Sequence, residues 1–318
     1  MDMVMNLIVA AVLAGTPLLY GILGEIINEK AGHLNLGVEG MMAMGACAGF
    51  MAGYLSDNLL IALLFAFAAG MLGALIYAVL TVTFMADQNV TGLTLTIFGG
   101  GLGNFIGEFM LLKSETQSLK LPAKIMASLS NIKIPVLSEI PVLGKILFQY
   151  NIFVYLGVVI AILCGYYLHK TKTGLKLRAI GENPAAADAA GIPVTKYKYL
   201  NLMLGGGLCG IGGAYASMII CNGVWISNCV DGLGWIAVAL VIFATWNPYK
   251  AIGGAAVFGA FSVLKYYFPK SILNIPDSIF DMVPFFMTIL VLIITSMRQS
   301  KENTQPKSCG VNYFREER

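Results

Sequence analysis

The stretch from Thr173 to Ile192 reads T-G-L-K-L-R-A-I-G-E-N-P-A-A-A-D-A-A-G-I, and it decides how the rest of the chain is interpreted. It is basic, rich in alanine and helix-forming, yet long apolar runs precede and follow it. Apolar runs of this length predict membrane spans, so the stretch between them must lie in water. We therefore expect residues 170–198 to form a loop that contacts something in the cytoplasm.

Composition also indicates a membrane protein. Hydrophobic residues make up 58% of the chain and charged residues 12%, whereas soluble domains have about 45–50% and about 25%. The net charge of +3 is spread over loops and tail and is too small to indicate nucleic-acid binding. The first apolar run has no basic region before it and no A-x-A cleavage site after it, so we predict a retained span rather than a signal peptide.

The apolar runs predict an all-α, polytopic transmembrane bundle that forms a single domain over residues 1–318. Basic residues collect in segment 170–198 and in the tail, 298–318, so the positive-inside rule predicts that both are cytoplasmic and that the N-terminus is outside. The long segment 113–151 would then be external, and part of it would re-enter or lie on the membrane surface. The nine predicted spans are 4–24, 34–54, 59–85, 90–112, 152–169, 199–221, 233–247, 251–268 and 281–297.

Two of these apolar helices begin at glycine-rich breaks, G-H-L-N-L-G-V-E-G at residues 32–40 and N-C-V-D-G-L-G-W at residues 228–235. Interrupted helices at corresponding places in two halves predict an inverted repeat with a solute path between them. Asn35, Glu39, Asp231 and Trp235 are the candidate path residues. Two alternatives stay open for the carboxylates, which either cap a helix N-terminus or hydrogen-bond a polar solute. Trp235 either stacks on a flat ring or anchors the membrane interface.

A second pair of polar residues, Asn104 and Glu108, lies four residues apart on one helix face. Both are further path candidates, with a polar helix contact, or for Glu108 the outer membrane interface, as the alternative. Glycines at spacing of four, in 45–53, 99–107 and 206–210, predict close helix packing. Outside the helices, a wet loop is the expectation for Glu25, Glu29 and Lys30, and the membrane interface for His33.

Catalytic and metal-binding motifs are missing from the sequence. It contains no G-x-x-x-x-G-K-[ST], G-x-S-x-G or H-E-x-x-H, and its cysteines show no C-x-x-C spacing. We therefore expect a chain that is not an enzyme and that binds no metal or cofactor of its own. Cys221 and Cys229 share an external segment and are the pair that could form a disulfide.

Segment 170–198 contains the signals of a short soluble helix. Asn183 and Pro184 are typical of a helix cap and first position, and an alanine-rich run follows to Ala190. Gly191 lies where a C-terminal glycine belongs, and the next proline prevents continuation. This pattern predicts a two-turn helix whose small side chains suit a partner's groove, with a passive connector helix as the alternative.

Four stretches of the chain resemble the branched-chain amino acid/simple sugar/nucleoside permease family of ABC importers. They are T-P-L-L-Y-G-I-L-G-E from Thr16, L-N-L-G-V-E-G from Leu34, G-E-N-P-A-A-A-D-A-A-G-I from Gly181, and G-L-G-W-I-A-V-A-L from Gly232 with N-P from Asn247. The sequence is most similar to nucleoside-type permeases, because sugar permeases read more like G-I-D-L-S-V-G at the first break.

This resemblance implies a subunit of the prokaryotic plasma membrane that moves nucleosides, or a related small polar solute, inward by alternating access. The partners it implies are a second paralogous permease, an ABC ATPase that holds ATP and Mg, and an extracytoplasmic substrate-binding lipoprotein, with membrane lipid around the spans. Substrates of other family branches, simple sugars or branched-chain amino acids, stay open, as do an ion-coupled transporter acting alone and a membrane-embedded enzyme or scaffold. The residues that would contact the ATPase are Glu182, Asn183, Pro184, Ala186, Ala187, Ala190, Gly191 and Ile192.

Overall fold

The computed structural model describes residues 2–114, 118–133, 143–267 and 304–315, together with residues 282–283, 285–290, 293 and 297. Within these residues the chain is almost wholly helical, and the only strands are a two-residue antiparallel pair, β1 (Ile132–Lys133) and β2 (Gln149–Tyr150). The helices are α1 (Asp2–Lys30), α2 (Val38–Ser56), α3 (Leu59–Ala78), α4 (Gln88–Lys113), α5 (Ala123–Ser128), α6 (Leu143–Leu147), α7 (Ile152–Lys170), α8 (Lys172–Glu182), α9 (Pro184–Ala189), α10 (Val194–Tyr215), α11 (Leu233–Phe243) and α12 (Pro248–Tyr267).

Six helical segments are long and apolar enough to cross a membrane, and they coincide with the first six predicted spans. Two of them extend into a π-helical turn, α3 through Val79–Thr83 and α10 through Ala216–Ile220. The predicted all-α transmembrane bundle is therefore confirmed. The seventh and eighth predicted spans form shorter apolar helices, Leu233–Phe243 and Pro248–Leu264. The ninth, 281–297, is described only in part, and its described residues, 282–283, 285–290, 293 and 297, are helical.

Glycines bring the long helices together, as their spacing predicts. The backbone of Gly45 on α2 lies against Gly210 on α10, so a Cβ on Gly45 would clash with that main chain. On the opposite side of α2, Gly40 meets Gly99 of α4 equally closely. This backbone-to-backbone packing supplies the dispersion contacts that hold helices together where no water is available to drive burial.

The end of α1 differs from the prediction. Glu25 and Glu29 do not lie in a wet loop, because α1 continues to Lys30 and both carboxylates are buried. Glu25 accepts hydrogen bonds from the Asn35 backbone N–H and from Asn28 Nδ2, both at 2.8 Å. A buried carboxylate is tolerated when donors satisfy its oxygens, and the break between α1 and α2 supplies one of them.

His33 lies in the same break and is also buried rather than interfacial. Its ring meets Tyr77 edge-on, with centroids 6.2 Å apart. Burial, with Lys198 nearby, holds the pKa of His33 well below its ordinary value, because the charged imidazolium is disfavoured in both respects.

The described parts of segment 113–151 form α5, α6 and the small ribbon. Leu119 and Ile125 are buried in a core cluster with Phe50 of α2 and Trp225. Cys221 and Cys229 are both free thiols in this structure, so the disulfide is not formed.

Candidate functional site: a cavity at the helix breaks and a docking helix

A cavity of about 390 Å³ lies where the two helix breaks meet. Its volume is at the lower end of the range for small-molecule sites, roughly 300–1,000 Å³. Four of the six predicted path residues line it, namely Glu39, Asn104, Asp231 and Trp235. Thr96, Asn228 and the glycines of α4 complete the wall.

Glu39 joins the two breaks directly. It lies in the first turn of α2, and its carboxylate oxygens accept the backbone N–H groups of Gly232 and Gly234 at 2.7 and 2.6 Å. These donors are at the start of α11, which has no capping side chain of its own. A carboxylate at a helix N-terminus is stabilised by the unpaired N–H groups and by the helix dipole. Glu39 therefore acts as a helix cap, but the helix that it caps is α11 and not its own helix α2. The cap lies at the cavity wall.

Asn104 ties α4 to the second break. Its Nδ2 donates to Asn228 Oδ1 at 2.6 Å, and its Oδ1 accepts the Asn228 backbone N–H at 2.9 Å. Asn228 has a φ of +58°, a left-handed conformation that asparagine tolerates better than most residues. The sequence does not predict this pairing, because Asn104 and Asn228 are 124 residues apart and no local pattern joins them.

The side chains of Asp231 and Trp235 are accessible at the cavity. Asp231 is exposed and forms no hydrogen bond or ion pair with the residues that the structure describes. Trp235, which is 38% exposed, presents part of its indole ring. These two side chains are available to a solute, whereas Glu39 and Asn104 are held by the protein.

Asn35 and Glu108 lie outside this cavity. Asn35 is fully buried, and its Oδ1 accepts the Gly37 backbone N–H at 2.9 Å, so it holds the turn that leads into α2. Glu108 is exposed on α4, one turn beyond Asn104. The four-residue spacing is correct for one helix face, but the cavity ends before it reaches Glu108.

A second carboxylate, Glu29, gathers donors from distant parts of the chain. Its Oε2 accepts hydrogen bonds from Trp246 Nε1 at 2.6 Å and from Gln305 Nε2 at 3.3 Å. It therefore connects the end of α1 to the turn after α11 and to the C-terminal tail. Two acids one turn apart at the end of an otherwise apolar run, Glu25 and Glu29, are the signal that could have identified it.

Helix α9 forms where the sequence predicts it. Asn183 Oδ1 accepts the Ala186 backbone N–H at 3.0 Å, and Pro184 is the first helical residue. At the other end Gly191 has a φ of +78°, and its N–H donates to the Asp188 carbonyl at 2.9 Å. Both predicted helix signals are therefore confirmed as local structure.

Only one face of α9 is open to a partner. Ala186, Ala189 and Ala190 are exposed at helical spacing. Ala187 is instead packed inward against Ile180 and Val194. The other predicted contact residues are exposed or half-buried around this face, and they are Glu182, Asn183, Pro184, Gly191 and Ile192.

The C-terminal tail packs beside α9, which the sequence did not indicate. Asp188 Oδ2 accepts the Tyr313 hydroxyl at 2.9 Å and lies 3.1 Å from Arg315 Nε. Ser308 donates its N–H to the Gly181 carbonyl at 3.0 Å. Residues 307–308 and 311–314 thereby form one wall of a hollow of about 330 Å³, and Glu182 to Ala185 form the other.

The sequence profile of the branched-chain amino acid transport system / permease component family matches residues 5–292. The chain belongs to this family. Its members are membrane transport subunits, so the permease is not an enzyme, and the predicted family resemblance is confirmed.

Individual relatives cover nearly the whole permease. NupC of Lactococcus lactis, named a nucleoside ABC transporter permease protein, is 34% identical over 98% of both chains. NupQ of Bacillus subtilis, named a guanosine ABC transporter permease protein, is 34% identical over 99% of this chain and 98% of its own. TsgC13 of Haloferax volcanii, provisionally named a glucose ABC transporter permease protein, is 36% identical over 83% of this chain and 78% of its own.

Family membership also indicates the location of the permease and a partner protein. It is a multi-pass membrane protein, and the family implies an ATPase partner. Among the described residues, no group of three or more His, Cys, Asp or Glu side chains is placed to hold a metal ion. The permease is a subunit of an ATP-binding cassette transporter, and an ion-coupled carrier acting alone is not favoured.

Proposed function

We propose that this permease moves nucleosides into the cytoplasm, as one of two permease subunits of an importer whose ATP and Mg are bound by a separate ATPase. The observation that carries this proposal is the cavity in which Glu39 joins the two breaks while Asp231 and Trp235 remain free. The names of NupC and NupQ, which match this chain end to end, support nucleosides as the solute class.

The chemistry of the cavity suits a neutral, flat solute with hydroxyl groups. The Trp235 ring can stack on a base, and the Asp231 carboxylate can accept hydrogen bonds from ribose hydroxyls. Among the residues that the structure describes, two carboxylates and no lysine or arginine line the cavity. Like charges repel strongly where water is scarce, so this wall favours a nucleoside over its phosphorylated form.

One side of the cavity is open, and this is where we place a second permease. Ile97 on α4 is 78% exposed, and Gly100 and Gly101 face open space. A helix that carries these residues in a polytopic bundle is best covered by another helix with small or apolar side chains. We infer that this chain supplies one wall of the path and its paralogue the other, with an extracytoplasmic lipoprotein delivering the solute.

Named contacts connect α9 to the cavity. Asp188 of α9 is hydrogen-bonded to Tyr313 of the C-terminal tail. Gln305 of the same tail is hydrogen-bonded to Glu29, which also accepts a hydrogen bond from Trp246. Trp246 lies just after α11, whose N-terminus is the one that Glu39 caps. We place α9 on the cytoplasmic side, where it meets the ATPase. A shift of α9 that ATP binding drives would then be transmitted through these contacts to the broken helices. This route supports alternating access as the mechanism.

The proposed solute is tested by uptake and competition. Cells that carry the complete transporter are given labelled guanosine, and cells lacking only this chain are the control. We expect uptake to need this chain and cellular ATP, and unlabelled nucleosides to compete, whereas nucleoside monophosphates, glucose and leucine do not. Competition by glucose or leucine at similar concentration would show that the solute class is wrong.

A further inference from the structure

An apolar groove runs along the side of the bundle between α3, α7, α8 and α10. Its wider part, about 480 Å³, is lined mainly by carbon, and Leu200 and Leu204 of α10 are exposed to it. Tyr167 and Leu204 also line a second hollow of about 220 Å³, so the two hollows adjoin at these residues. The other residues that line the second hollow are Ile27, Phe67, Ile160, Leu163, Cys164 and Leu208.

Two lysines stand at the wider end of this groove, Lys176 of α8 and Lys196 of α10. Both are exposed, and neither forms a hydrogen bond or an ion pair with a residue that the structure describes. Lys196 lies in the first turn of α10, where the positive end of the helix dipole adds to its own charge. The groove therefore combines two unpaired positive charges at one end with an apolar interior.

The dimensions fit one leaflet of a membrane. Lys196 and Leu208 are twelve residues apart on α10, which corresponds to about 18 Å at roughly 1.5 Å per residue. The hydrocarbon of one leaflet is about 15 Å deep, half of a core of roughly 30 Å. A chain that begins at the lysines and follows the groove would thus reach about the middle of the bilayer.

We propose that this groove is a binding site for one anionic phospholipid, with its phosphate at Lys176 and Lys196 and an acyl chain along Tyr167 and Leu204. Basic pockets between transmembrane helices are known to hold anionic headgroups. The two unpaired lysines favour an anionic lipid over a helix of the second permease as the occupant. An apolar helix in the groove would leave both ammonium groups without a counter-charge. The site is separate from the cavity at the breaks and does not depend on the transported solute.

Native mass spectrometry of the purified full chain, alone and in the assembled transporter, tests this site. Phosphatidylglycerol and phosphatidylcholine are titrated separately, and the fraction of protein with one bound lipid is measured. We expect phosphatidylglycerol to bind more tightly, and Lys176→Ala and Lys196→Ala each to weaken its binding about fivefold, since a lysine at the surface contributes about 1 kcal/mol to anionic-lipid attraction. Leu204→Trp, which fills the groove, should weaken binding of both lipids.

Lys172→Ala is the matched control. Lys172 is one turn from Lys176 on α8 and is also exposed, but it does not line the groove. Equal binding of the two lipids, or an equal loss in Lys172→Ala, would overturn the proposal. So would loss of the bound lipid when the second permease assembles, because the groove would then be a subunit interface.

Discussion

Glu39→Gln is expected to lower nucleoside uptake by about tenfold or more, at an unchanged level of protein in the membrane. Each oxygen of the Glu39 carboxylate accepts one backbone N–H from the start of α11. Glutamine has one acceptor oxygen, so its NH₂ group would face the second backbone N–H, donor against donor. The loss of a hydrogen bond to a charged group costs about 1.5–3 kcal/mol, which corresponds to a factor of about 10 or more in an equilibrium. This cost falls on the contact that joins the two broken helices.

Glu108→Gln provides the control for this experiment. It makes the same chemical change on an exposed residue of α4 that does not line the cavity. Uptake in Glu108→Gln should stay close to that of the unaltered protein. If Glu39→Gln transports normally, the joint between α2 and α11 has no part in transport.

Large side chains on the exposed face of α9 should abolish uptake by separating the permease from its ATPase. Ala186→Trp and Ala190→Trp place an indole where the structure offers only methyl groups to a partner. The loss of a central interface contact typically costs about 2 kcal/mol or more, about thirtyfold in affinity. The measurement is the amount of ATPase that co-purifies with the tagged permease.

The control is Ala127→Trp, the same change on an exposed residue of α5 in the segment predicted to be external. It should leave ATPase recovery unchanged. Ala187→Glu is a poorer test, because Ala187 is 4% exposed and packed against Ile180 and Val194, so a carboxylate there would unfold the segment rather than block docking. Normal ATPase recovery with Ala186→Trp and Ala190→Trp would show that α9 does not dock.

The helices could be predicted because their causes are local. Apolar runs long enough to cross a bilayer fixed the first six spans, and Asn183, Pro184 and Gly191 fixed both ends of α9. The place of the cavity could be predicted from the glycine breaks. A helix that is interrupted in the membrane leaves backbone N–H and C=O groups without partners, and these must be satisfied by the protein or by a water-filled cavity. Glu39 does so for α11.

The polar interior could not be predicted because its partners are far apart in sequence. Glu29 is buried only because Trp246 and Gln305 reach it from 217 and 276 residues away. Without those partners, an acid one residue before a helix end is most simply placed in water, and the sequence predicts a wet loop there. The tail was missed for a related reason: Ser308 binds Gly181 through backbone groups, which leave no pattern in the side chains.

The central claim is that this chain works as one subunit of an ATP-driven importer, and its partners test it most directly. The tagged chain is isolated from its native membrane in mild detergent, and everything that accompanies it is identified by mass spectrometry. The account predicts that a chain with a G-x-x-x-x-G-K-[ST] motif and a second permease co-purify in stoichiometric amounts. It also predicts that Ala190→Trp lowers the amount of the ATPase recovered. Recovery of this chain alone, monodisperse and in good yield, would contradict it.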